Sequence, residues 1–140
     1  MDLIKAKQGV ESILKKCNFK YVVEEKGNYV HAKAVNVRLK GIDDDITLEI
    51  CVYQNGAGII ELIFDKINNI KKVIEDINEL NRAQPWGKAY INDYNFFVVG
   101  YYFAFVQDVD VEKHIGFALT NFGDDKFISL LKPITKITKA

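Results

Sequence analysis

Arginine is almost missing from this chain of 140 residues: Arg38 and Arg82 stand alone, and every other basic side chain is a lysine. There is no excess of either charge, because 19 basic residues meet 19 acidic ones. A nucleic-acid binder needs a cationic surplus to displace counterions from phosphates, and guanidinium forks to grip phosphates and base edges. Nucleic acid is therefore not the expected partner. Cysteine is as scarce, with Cys17 and Cys51 only. A secreted disulfide scaffold needs a denser framework. At their helical and strand positions both cysteines read as small core hydrophobes. No apolar run approaches the roughly 20 residues of a membrane span, and Met1 to Lys5 lacks the continuous apolar stretch of a secretion signal. A soluble protein of the cytoplasm, with no membrane association, is expected.

The groups that carry chemistry are equally thin. His31 lies alone in an alternating strand. In Glu112-Lys113-His114 a zinc-binding His-Glu-x-x-His pattern would need a second histidine where Ala118 stands. Asp43-Asp44-Asp45 places three carboxylates side by side rather than at the spacing of a calcium loop, so it reads as a solvated loop, as does Asp124-Asp125. Asn55-Gly56-Ala57-Gly58 joins two strands, whereas a phosphate cradle needs a strand-to-helix turn. Ser12, Ser129, Cys17 and Cys51 have no base near them in sequence. No catalytic residue, metal site or cofactor is expected, and the chain is read as non-enzymatic.

What is present is periodicity. Ile4, Val10, Ile13, Leu14 and Cys17 recur at helical spacing behind a capping Asp2, and Asn18 stops the helix. Phe19 to Glu25 and Tyr29 to Val37 read as strands about a Lys26-Gly27-Asn28 turn. After a polar loop over Lys40 to Asp45, Ile46 to Gln54 alternates strictly, and Asn55-Gly56 is a hairpin tip leading into Ile59 to Phe64. The period then changes. Ile67, Ile70, Val73, Ile74, Ile77 and Leu80 form the stripe of an amphipathic helix that Pro85 ends. Trp86 to Ile91 and Phe96 to Val106 read as strands about Asn92-Asp93-Tyr94-Asn95. Asp108 or Asp110 can cap a last helix with Val111, Ile115, Ala118, Leu119 and Phe122 buried. Phe127 to Leu131 adds a turn or two before Pro133. The prediction is one α+β domain over residues 1–133, with a loose tail over 134–140. Its five to six antiparallel strands are flanked by helices in the order α-β-β-β-β-α-β-β-α.

The segment from Ile77 to Tyr90, Ile-Asn-Glu-Leu-Asn-Arg-Ala-Gln-Pro-Trp-Gly-Lys-Ala-Tyr, resembles the YbjN-like bacterial domain. The resemblance rests on Asn78, Asn81, Arg82, Trp86, Lys88, Ala89 and Tyr90, and continues in outline through the following strand and helix. It implies a fold like the type III secretion chaperones and a regulatory or chaperone-like role, and it names no chemistry. Dedicated secretion chaperones are acidic, and this chain is neutral. Asn78 and Asn81 share one helical face near a helix end whose carbonyls lack partners, and Arg82 complements the negative end of the helix dipole. The motif therefore reads first as a corner lock covered by Trp86, and second as a pocket beside Trp86 for a small molecule or peptide.

The aromatic strand is the other candidate. Phe97, Val99, Tyr101, Phe103 and Phe105 share one face. Phe96, Val98, Gly100, Tyr102, Ala104 and Val106 share the other. Either helices cover both faces, or the second face is an interface with Phe96, Val98 and Tyr102 at its centre. A protein-binding module, homodimeric through such a surface, is the leading functional expectation.

Overall fold

The computed structural model describes residues 2–104 and 110–138. It contains α1 (Leu3–Lys16), β1 (Tyr21–Lys26), β2 (Tyr29–Val37), β3 (Ile46–Tyr53), β4 (Gly58–Lys66), α2 (Ile70–Ala83), β5 (Lys88–Ile91), β6 (Phe96–Phe103), α3 (Val111–Phe122) and α4 (Asp125–Thr138). The strands form one six-stranded sheet in the order β1-β2-β3-β4-β6-β5. Every neighbouring pair is antiparallel. The α+β architecture is as expected from periodicity, with a fourth helix added at the end.

Local chemistry sets the element ends. The Asp2 carboxylate accepts from the Ile4 amide at 2.9 Å and opens α1. Asn18, at φ 58°, closes the helix. The Asn18 amide bonds the Lys15 carbonyl and the Phe19 amide bonds the Leu14 carbonyl, the paired pattern of a left-handed helix stop. Gly56, at φ 90°, turns the β3–β4 hairpin. Asn92 turns the β5–β6 hairpin by accepting from the Tyr94 and Phe96 amides, each at 3.0 Å, while Asn95 takes the left-handed position.

Burial is one-sided. Along β3, and along β4 as far as Asp65, buried and half-buried residues alternate. The buried set (Leu48, Ile50, Ile60, Leu62, Phe64, with Phe97 and Val99 from β6) joins the apolar stripes of all four helices in a single core. The layering is helices over one sheet face.

Several sequence readings shift at this level. The buried stripe of α1 is Leu3, Ala6, Val10 and Leu14, while Ile4 is 61% exposed and Cys17 is exposed. Neither cysteine is in the core, since Cys51 is half-buried on the sheet face away from the helices. Ile67 is buried ahead of α2, and only Val73, Ile77 and Leu80 turn inward from the helix, which leaves Ile70 and Ile74 exposed. One contact stripe holds three residues in two turns, and the sequence offered more apolar residues than it takes. Trp86 sits in the turn before β5 rather than in the strand. Asp44 is buried within its loop, whereas Asp43 and Asp45 are exposed. Pro133 lies inside α4, which runs on to Thr138, so residues 134–138 are helical and not a loose tail. Ser129, whose carbonyl loses its donor to the proline, is on the exposed side where water can replace it, and the fully buried Leu131 and Ile134 hold the helix down. Asp110 precedes α3 without a side-chain cap bond. Phe105, Val106 and Asp108 lie outside the described residues.

Gly9 sits where α1 meets α3, and a methyl group there would lie 3.7 Å from the Glu112 amide nitrogen, an ordinary contact. Gly9→Ala is expected to stabilise the protein by about 0.5–1 kcal/mol and to raise its melting temperature by about 2–4 °C in calorimetry.

Candidate interaction surface on the uncovered sheet face

Two of the motif residues, Asn81 and Trp86, do structural work at the β5 corner. Asn81 faces the outer edge of β5, where its amide nitrogen donates to the Ala89 carbonyl at 2.9 Å and its oxygen accepts from the Ala89 amide at 2.7 Å. One side chain thus makes the pair of bonds that a further strand would make at Ala89. Trp86 stands edge-on to Phe122 and Phe127, at 5.4 and 5.3 Å between ring centres, and its indole N–H donates to the Gln84 side chain. The crevice between Leu80, Asn81, Trp86 and Phe127 is packed shut and has no room for a water molecule. Gly87 passes so close to β6 that an added methyl would stand 2.6 Å from the Gly100 carbonyl oxygen. Arg82 bonds Glu79 at 2.7 Å on the exposed side of α2, not the helix carbonyls, and Asn78 is exposed beside it. Lys88 and Tyr90 belong to the uncovered sheet face, with the ammonium 5.7 Å from the ring centre.

The same parity brings distant residues together on that face. One row crosses the sheet through Glu24, His31, Cys51, Ile59 and Tyr102. A second crosses through Lys33, Glu49, Glu61, Gly100 and Lys88. A third holds Thr47, Ile63, Val98 and Tyr90. Toward the β1–β2 turn Tyr29 and Tyr53 lie ring to ring at 5.6 Å. The expected interface residues Phe96, Val98 and Tyr102 are all on this side. Tyr102 is 44% exposed, but Val98 is 2% exposed and already covered by its neighbours, so it offers little to a partner. Lys66 lies over the Phe96 ring at 5.4 Å.

Glu49 and Glu61 stand directly opposite each other in the middle of the face, an arrangement that repels. Each has polar neighbours. His31 Nε2 is 3.6 Å from Glu49, and Lys33 is its cross-strand neighbour. Glu61 accepts from the Tyr90 phenol at 2.5 Å and from the Tyr102 phenol at 3.4 Å. Gly100 makes this possible, because the Tyr102 ring lies over the place where a side chain at 100 would project. Burial, then the bond to Glu61 and its charge, holds the Tyr90 phenol protonated well above the usual tyrosine range, and burial and the Glu61 charge raise Tyr102 as well.

The arrangement is poorly suited to nucleophilic chemistry. Cys51 is opposite His31 across β2 and β3, but burial and the carboxylates of Glu49 and Glu61 push its thiol up, away from the thiolate a nucleophile needs. On the helix side His114 Nδ1 pairs with the Tyr101 hydroxyl at 3.0 Å and its ring stacks on Phe103. Ser12 and Lys16 both reach Glu112, which ties α1 to α3, and Lys16 draws the Glu112 carboxyl below its ordinary range. Among the described residues no three His, Cys, Asp or Glu side chains are placed to hold a metal ion, and no helix is long and apolar enough to cross a membrane.

Sequence reasoning missed Glu61, Glu49, Cys51 and Tyr53 as members of this surface. Their common parity in two adjacent strands was the available signal. No family model, curated protein or solved structure matches the chain.

Asn81→Ala leaves the buried Ala89 amide without its acceptor and is expected to cost about 2 kcal/mol in denaturant unfolding. The Tyr90 contribution to stability should be level below about pH 10, the free-tyrosine value, and should fall above it, because the unfolded chain releases the Tyr90 proton before the folded one does. Glu61→Gln removes the charge that helps retain this proton, so phenol absorbance at alkaline pH should rise earlier than in the wild type.

Proposed function

We propose that this chain is a non-enzymatic protein-binding module, regulatory or chaperone-like in role and YbjN-like in kind, whose docking surface is the uncovered face of its sheet. One observation carries the reading: all four helices pack on a single side and leave a face rich in tyrosine and aliphatic side chains open. Tyrosine suits an interface, since its ring contributes apolar area while its hydroxyl bonds at the boundary. Here the phenols are held in place by Glu61, which lowers the cost of ordering them when a partner docks. The rival reading, a sensor pocket beside Trp86, is disfavoured because that corner is filled by Trp86, Phe122 and Phe127. The neutral charge and two arginines speak against nucleic acid.

The reading is tested by affinity capture from the native cell with two variants. Ile59→Lys with Tyr102→Lys charges the sheet face, and Ile70→Lys with Ile74→Lys charges the exposed side of α2 as a control. Partners seen by mass spectrometry should be lost, at least about tenfold, with the first pair and retained with the second. Partners retained by the sheet-face variant and lost by the helix variant would move the docking surface to α2.

A further inference from the structure

The two edges of the sheet are finished differently. At β5 the Asn81 amide occupies the outward backbone groups of Ala89. At β1 the two-residue Gly27–Asn28 loop joins the paired residues Lys26 and Tyr29. In such a hairpin Lys26, Glu24 and Val22 bond inward to β2, and the backbone groups of Tyr21, Val23 and Glu25 point outward. Among the described residues no side chain or loop bonds these outward groups. Beside this edge Val22 is 63% exposed and Val35 46% exposed, in an apolar hollow that also includes Lys20 and Lys33.

We propose that a second copy of the chain pairs antiparallel along β1, with the twofold axis at Val22. This goes beyond the docking role of the sheet face and stands without it. The chemistry of the edge selects one register. With the axis at Val22, Val22 meets its own copy, Tyr21 meets Val23 of the second copy through their outward backbone groups, and Lys20, the residue just before β1, is set beside Glu24 on both sides of the axis. A shift that centres the axis on Val23 sets Lys20 against Lys26 and Val22 against Glu24, which repels and strands an apolar side chain beside a carboxylate. A shift that centres it on Tyr21 carries Glu24 past the strand to Asn18, where the backbone turns left-handed. Face-to-face pairing through the aromatic surface, the homodimer expected from sequence, is less suitable. It would desolvate Glu49 and Glu61, which already oppose each other, against the same pair from the second copy. Edge pairing leaves both uncovered faces open and sets them side by side in one twelve-stranded sheet, six strands from each copy.

An edge contact of this length is small, so weak, concentration-dependent association is expected. Sedimentation velocity up to about 1 mM follows it in the wild type, in Lys20→Glu, in Glu24→Lys, in an equimolar mixture of those two, and in the double variant. Lys20 and Glu24 are exposed, and thermal unfolding should confirm that all variants fold. Each single reversal puts like charges on both sides of the axis and should weaken association at least about tenfold. The mixture and the double variant restore opposite charges and should recover it. A wild-type chain that stays monomeric at the highest concentration overturns the proposal. So does association that ignores both reversals, which would place the interface elsewhere, the uncovered face included, and so does loss that neither the mixture nor the double variant restores.

Discussion

A sheet whose helices all lie on one side must solve two different problems with one set of strands. On the inner side Leu48, Ile60, Phe64 and Phe97 are fully withdrawn from water, and the helical stripes of α1, α2, α3 and α4 close over them. That burial supplies the main drive to fold. On the outer side the same strands must tolerate water while remaining paired. The period of two forces every inward residue to be followed by an outward one, so the quality of the core fixes the amount of outer face that has to be managed.

The outer face is managed by cross-strand contacts rather than by a second layer. The phenols of Tyr90 and Tyr102 converge on Glu61, Tyr29 and Tyr53 pack together, and Lys88 lies over Tyr90. The result is a surface that is ordered before anything binds it, which is the property a docking platform requires. The like-charge Glu49 and Glu61 pair is the cost of that order.

Most elements were legible in the sequence because their boundaries are local events. Asp2, Asn18, Gly56 and Asn92 each act on backbone groups within a few residues, and their effects could be read directly. Alternation in β3 and β4 was equally plain. The errors came where several apolar residues competed for one contact. Ile70 and Ile74 lost to Val73 and Ile77, and Cys17 lost to Leu14. Pro133 misled for the opposite reason: a missing amide is serious only where its carbonyl partner is dry. The outer face was the least legible part. Glu61 meets tyrosines 29 and 41 positions later, and nothing in the local pattern announces that β6 returns between β4 and β5. The role of Asn81 was half visible. Its place near a helix end suggested carbonyl contacts, but its partners proved to be both backbone groups of a strand residue eight positions on.

That asparagine has a topological consequence. A sheet with two receptive ends can add copies without limit, and growth of that kind is how filaments arise. With an amide seated on Ala89, the β5 border is partly occupied, and twofold joining along β1, as proposed, would use the freer border of both participants at once. Strand pairing of that twofold kind would close on itself as a pair rather than grow into a fibre.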